Sequence, residues 1–125
     1  DALLILNTVQ FTNGLVNTGT ISTYNNVTVT SGYDGGSARL KFVGSSTQLF
    51  DLTGATDKYD GDIELAKSSG YTTTMVSDIE MDGVGQDFFA KSGILNLNNK
   101  TVIIHNASQN SGTLEVQGSV NIAGG

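Results

Sequence analysis

The chain has no cysteine, no proline and no tryptophan, and a single histidine among its 125 residues. Without cysteine, neither a disulfide framework nor a thiolate metal site can form. Without proline, reversals of the chain fall to glycine and asparagine, and no stiff Pro-rich linker divides it. Charge is scarce as well: charged residues make up 14%, against about 25% in an ordinary globular domain. Six basic residues face twelve acidic ones, a net charge of −6, which opposes a phosphate-backbone partner. Nucleic acid is therefore not an expected ligand. Long apolar runs are missing too, the longest being Ala2–Leu6, far short of the roughly 20 residues of a membrane-spanning helix. The chain starts at Asp1, with no Met and no basic-then-apolar leader; the expectation is a processed mature form or an excised piece.

What is present is short alternating runs punctuated by Gly and Asn. Ser92–Asn106, SGILNLNNKTVIIHN, reads as two strands, Ile94–Asn98 and Thr101–Asn106, hinged at Asn99–Lys100. Asparagine tolerates left-handed backbone angles and bonds its own neighbours, so it suits a chain that turns a corner every few residues. The same reading holds along the chain: Ala2–Leu6 and Val9–Thr12, Ile21–Tyr24 and Val27–Thr30, Ala38–Val43 and Gln48–Leu52, then Asp62–Ala66, Thr72–Val76, Ile79–Met81 and Phe88–Ala90, and finally Thr113–Val116 and Val120–Ala123. Arg39 and Lys41 share one outward face of their strand. No window holds a helical apolar stripe, and Gly85–Lys91 is given at most one turn. The chain reads as all-β.

Internal similarity selects among all-β folds. DIEL at Asp62–Leu65 returns as DIEM at Asp78–Met81, KSSG at Lys67–Gly70 as AKSG at Ala90–Gly93, and GTI at Gly19–Ile21 as GTL at Gly112–Leu114. The first two intervals, about 16 and 23 residues, suit one coil of a solenoid, in which a unit buries its apolar side only by stacking on the next. The expected fold is a right-handed parallel β-helix (β-solenoid), either a single domain over residues 1–125 or a segment of a longer repeat protein. The alternative is a jelly-roll or β-sandwich whose N-terminal strand, DALLILNTVQF, completes a neighbour.

The run KSSGYTTTMVSDIEMDGVGQDFFAKSGILNLNNKTVIIHN at Lys67–Asn106, preceded by KFVGSSTQLFDLTG at Lys41–Gly54, resembles the repeats of secreted and surface β-helix proteins of bacteria, Bacteroidetes-like, of adhesin or filament type. Gly44, Gln48 and Gly54, then Lys67–Gly70, Ser77–Ile79 and Gly83, then Ser92, Gly93, Leu95–Asn98, Thr101, Val102 and Ile104 carry the likeness. Two departures stand out: Asn99 where the pattern has Gly, and GQDFF at Gly85–Phe89, whose aromatic bulk suggests a cap or plug. The resemblance implies an extracellular or cell-surface location and a structural or adhesive role.

Candidate chemistry is sparse. Asp57, Asp60 and Asp62 are hard oxygen donors of the kind Ca²⁺ takes, but lack the spacing of a calcium loop, so a solvated acidic loop is expected and no cofactor. Glu64 and Glu80, at equivalent places in DIEL and DIEM, would lie one strand apart if those segments stacked, and paired acids are what a glycosidase uses; a screened outer ladder is preferred. His105 stands alone and makes no triad. Phe residues are read as core filling and Tyr as corner residues, with Tyr33 and Tyr59 in polar loops the best placed for a surface glycan. Leu3, Leu4, Ile5, Val120 and Ile122 lie at the two ends, where an uncapped solenoid would stack end to end or meet adjoining repeats. The function expected is a non-enzymatic structural or adhesive element of a bacterial surface or extracellular filament. The alternatives are a carbohydrate-binding or carbohydrate-cleaving β-helix (lyase or tailspike-like) and a pilin-like subunit built by donor-strand exchange.

Overall fold

The structure is a computed structural model that describes residues 1–33, 35–55, 59–82 and 85–104, and the backbone of 114–116 and 120–123. The chain winds as a parallel β-solenoid. Its strands follow in coils: β1 (Ala2–Ile5) and β2 (Val9–Phe11), β3 (Thr20–Thr23) and β4 (Val27–Val29), then β5 (Arg39–Gly44) and β6 (Gln48–Asp51). Next come β7 (Ile63–Lys67), β8 (Thr72–Met75) and β9 (Ile79–Met81), β10 (Phe88–Asn96) and β11 (Val102–Ile104), and last β12 (Leu114–Val116) and β13 (Val120–Ala123). No helix occurs among the described residues.

Every strand pair is parallel. One ladder runs β1–β3–β5–β7–β10–β12 and a second β2–β4–β6–β8–β10–β13. Strand β10 bends through both, with an irregularity between Ala90 and Ser92, while β9 and β11 pair on a third side. Parallel strands normally need long crossovers; here the crossover is the rest of the coil.

Because side chains alternate, every second residue of a ladder points inward and register turns these into rows. Leu3, Ile21, Leu40, Ile63 and Phe88 form one such row, and Thr23, Phe42, Leu65 and Ala90 another. Across the interior stand Val27, Phe50 and Met75, with the Phe42 and Phe50 rings 5.1 Å apart and tilted. From Ile21 to Phe88 these side chains are buried, and burial at about 25 cal/mol per Å² of apolar surface is what drives the coils together.

Gly85–Lys91 departs from the expected helical turn. Its second half enters β10, pairing Phe88, Phe89 and Ala90 with Ile63, Glu64 and Leu65, because the ladder already present on β7 supplies partners that an isolated turn lacks. Asn98 and Asn99 take φ values of 52° and 58°, so Asn99 occupies the left-handed angle that Gly adopts most readily.

Gly36, at φ +134°, is a crowded left-handed corner, where an added Cβ would lie 2.5 Å from the Val16 carbonyl oxygen; Gly70, at φ +83°, faces open space. Gly36→Ala should therefore lower the unfolding free energy by about 3 kcal/mol, through conformational strain plus clash. Gly70→Ala should cost only about 1 kcal/mol, from the left-handed angle alone. Urea denaturation of the two variants measures the difference, and equal losses would contradict the packing described.

Candidate functional site

The outer face of the first ladder carries the densest chemistry. Register sets Lys41 beside Glu64, and Glu64 beside Phe89. Arg39 Nη2 lies 2.8 Å from Asp62 Oδ2 and its Nη1 3.1 Å from Glu64 Oε2. Lys41 and Lys91 reach Glu64 Oε1 at 2.9 and 3.2 Å. The Arg39 guanidinium also covers the Phe89 ring, 4.5 Å from its centroid, with Lys91 at 5.6 Å. Three of the six basic residues thus converge on one carboxylate, which is 2% exposed although it sits on an outward position. Burial pushes the Glu64 carboxyl up, and the bonded ammonium groups of Lys41 and Lys91 more than offset this, so its pKa lies below the ordinary 4.5.

Sequence reasoning places Arg39 and Lys41 outward, as found. It misses Lys91 and reads Phe89 as core or plug, whereas Phe88 is the core ring and Phe89 packs outside under Arg39. Glu64 and Glu80 do not stack: Glu80 lies on β9 opposite Ile103, in a different ladder. The one-strand spacing of a carboxylate pair is therefore not formed between them. A Glu64 held ionised among cations is an anchor for the face.

The expected ligand positions move inward. Tyr33 and Tyr59 are 1% and 2% exposed, stacked 6.0 Å apart at 10°, with Phe11 tilted against both. Rings buried to this extent offer no face to a glycan. Tyr59 donates to the Ala38 carbonyl at 2.6 Å, whereas the buried Tyr33 hydroxyl has no partner among the described residues. Burial pushes Tyr33 up to about 12 and raises Tyr59 still further. Of the acidic trio, Asp62 is committed to Arg39 and to the Asp87 amide at 3.0 Å, Asp60 is exposed, and Asp57 lies outside the described residues, as does His105. Among the described residues no three His, Cys, Asp or Glu side chains group as metal ligands.

The expected end residues are split. Leu3 and Leu4 are exposed and Ile5 is half-buried, with Leu6, Leu15 and Val16 also exposed nearby. Leu3, Ile5, Val9, Phe11, Val16 and Ile21 line a cavity of 420 Å³ at this end. Val120 and Ile122 pair in register with Gly93 and Leu95; their side chains are outside the described residues.

The fold and these faces define a class, a parallel β-solenoid with a self-paired charged face and an apolar first coil. No family model matches the chain, and no curated protein or solved structure does either.

Two outcomes follow. Glu64→Gln should cost about 1–2 kcal/mol, a figure discounted because its cationic partners are about one-third exposed. Since the folded pKa is depressed, Glu64 contributes stability that is present above its unfolded value and lost as pH falls through the folded one; the variant should flatten acid unfolding monitored by circular dichroism. Tyr33→Phe should be neutral or slightly stabilising, whereas Tyr59→Phe should cost about 1–2 kcal/mol by leaving the Ala38 carbonyl unpaired. Raised folded pKa values make the tyrosines' contribution complete below pH 10 and lost above it, a loss that Tyr59→Phe should reduce in alkaline thermal melts.

Proposed function

We propose that the chain is a non-enzymatic structural or adhesive element of a bacterial surface or extracellular filament, acting by axial stacking of solenoid coils. The observation that carries this reading is the first coil. Strands β1 and β2 each have a ladder neighbour on one side only among the described residues. Their other edges hold unpaired backbone N–H and C=O groups, a template for a further parallel strand. Beside them the interior rows run out into the 420 Å³ cavity, lined in part by exposed Leu3 and Val16, and Leu6 and Leu15 are exposed on the same coil. An apolar patch joined to two free strand edges fits another coil, from a second copy or from adjoining repeats. The sequence resemblance to adhesin- and filament-type repeats points the same way, and that likeness is also what supports an extracellular setting.

Sedimentation and cryo electron microscopy across a range of concentrations test the self-stacking form. Assemblies with an axial repeat of about 4.8 Å are expected for the unmodified chain, and Leu3→Lys with Leu6→Lys should return it to single particles. Single particles of the unmodified chain at every concentration would overturn self-stacking.

A further inference from the structure

The interior is not uniformly apolar. At the corner between the two ladders, Thr23, Gln48, Lys67 and Thr73 are all buried, at 0%, 0%, 2% and 2% exposure. Lys67 ends β7, and its side chain turns inward past Gly93, whose missing Cβ would lie 2.8 Å from the Lys67 Cβ. Its ammonium nitrogen donates to the Val43 carbonyl at 3.1 Å and to Gln48 Oε1. The Gln48 Nε2 donates to the carbonyls of Thr23 and Asn25, at 3.0 and 2.7 Å. No carboxylate pairs with this amine among the described residues. An amine and a primary carboxamide therefore face one another in a buried corner, both bonded to backbone carbonyls.

We propose that Lys67 and Gln48 form an intramolecular isopeptide cross-link, the Lys67 amine displacing ammonia from the Gln48 carboxamide. The Nζ–Cδ bond forms and the Cδ–Nε2 bond breaks. One proton passes from Nζ to the departing nitrogen, which leaves as NH₃. Nothing is oxidised or reduced, and no co-reactant is needed. Three features of the corner favour the step. Burial pushes the Lys67 amine down to about 8, so the neutral nucleophile is present near neutral pH, as in other lysines activated by desolvation. The Thr23 and Asn25 carbonyls hold the leaving nitrogen by its hydrogens and fix the carboxamide plane. Thr73 is paired with Gln48 in register, and its buried hydroxyl has no hydrogen-bond partner among the described residues. In the proposed step that uncommitted hydroxyl, one strand over from Gln48, relays the proton from Nζ to Nε2. The product would staple β6 to β7 across the interior, joining two successive coils in a chain that has no cysteine to do so. This inference stands apart from the proposed function.

The test is the mass of the full chain, purified, denatured and weighed intact. The expected mass is about 17 Da below that of the sequence, the mass of one ammonia. Proteolysis with tandem mass spectrometry should yield a branched peptide joining Gln48 to Lys67. Lys67→Arg should restore the full mass, and Thr73→Val, which keeps the side-chain shape, should form the link more slowly after refolding from denaturant. A full-length mass for the unmodified chain overturns the proposal. So does a 17 Da deficit that persists in Lys67→Arg, which would locate the loss elsewhere, as in a succinimide at Asn13–Gly14. Unchanged kinetics in Thr73→Val would remove Thr73 from the step.

Discussion

Each coil must lie on the one beneath it in register, and the structure depends on that axial constraint. Strands meet it with backbone ladders, and the corners do so only in places, as where the Ala38 amide donates to the Val16 carbonyl at 2.9 Å, because a turning backbone directs many of its N–H and C=O groups away from the axis. Short polar side chains complete the pattern there. Asn26 Oδ1 accepts from the Leu49 amide at 2.9 Å, Ser77 Oγ from Leu52 at 2.8 Å, and Asp78 Oδ1 from Thr101 at 2.8 Å. Ser92 Oγ donates to the Lys67 carbonyl at 2.7 Å, and Asn98 Nδ2 to that of Met75 at 3.0 Å. Each bond joins one coil to the next. The abundance of Asn, Ser and Asp in a charge-poor chain is thus explained by corner geometry, and a water-filled corner would forfeit about 1 kcal/mol for each such bond.

The same constraint governs the inside. A polar group is tolerated in a stacked interior only where the neighbouring coil supplies its partner. Gln86 illustrates this: it is buried, and its Nε2 donates to the carbonyls of Tyr59 and Gly61, at 2.6 and 2.8 Å, one coil below. Gln48 does likewise one coil earlier. These glutamines act as spacers that carry the axial hydrogen bonding through places where the backbone swings outward. An apolar replacement of Gln86 would take from the Tyr59 and Gly61 carbonyls the donor that now reaches them, a cost that keeps the polar side chain in the interior.

Strand positions were legible because alternation and Gly/Asn punctuation are local signals. Thr72–Val76 and Val27–Thr30 are read within a residue of β8 and β4, and Asn99 takes the angle its chemistry allows. Residues one coil apart were harder, since coil length is not constant. DIEL and DIEM are too closely spaced to stack and lie on two sides of the same turn, so Glu64 and Glu80 were misjudged. A better signal was available in the interval of 23 residues that separates Arg39 from Asp62 and equally Lys41 from Glu64: opposite charges repeated at coil length. The tyrosines failed for a related reason. Tyr33 and Tyr59 sit in polar stretches, and only their spacing from Phe11 and from each other, about one coil each time, shows that they form an interior stack.

The lateral and axial surfaces of such a molecule differ in what they leave unsatisfied. Along the side, Arg39, Lys41 and Lys91 spend their charge on Glu64 and Asp62, and Phe89 is covered by guanidinium, so neither charge nor ring is left free to seek a partner. Along the axis, both β1 and β2 have no ladder neighbour on one side among the described residues, beside the exposed Leu3, Leu4 and Leu6. Free strand edges and apolar surface coincide there and nowhere else on the described first ladder. Association directed by hydrogen bonding and burial together is stronger and more specific than either alone. Lateral pairing would instead have to separate a buried carboxylate from its cations, a cost of several kcal/mol for removing one partner of a buried pair. On the proposed stacking role, growth in one dimension would be set by the same register that holds the coils of one chain together.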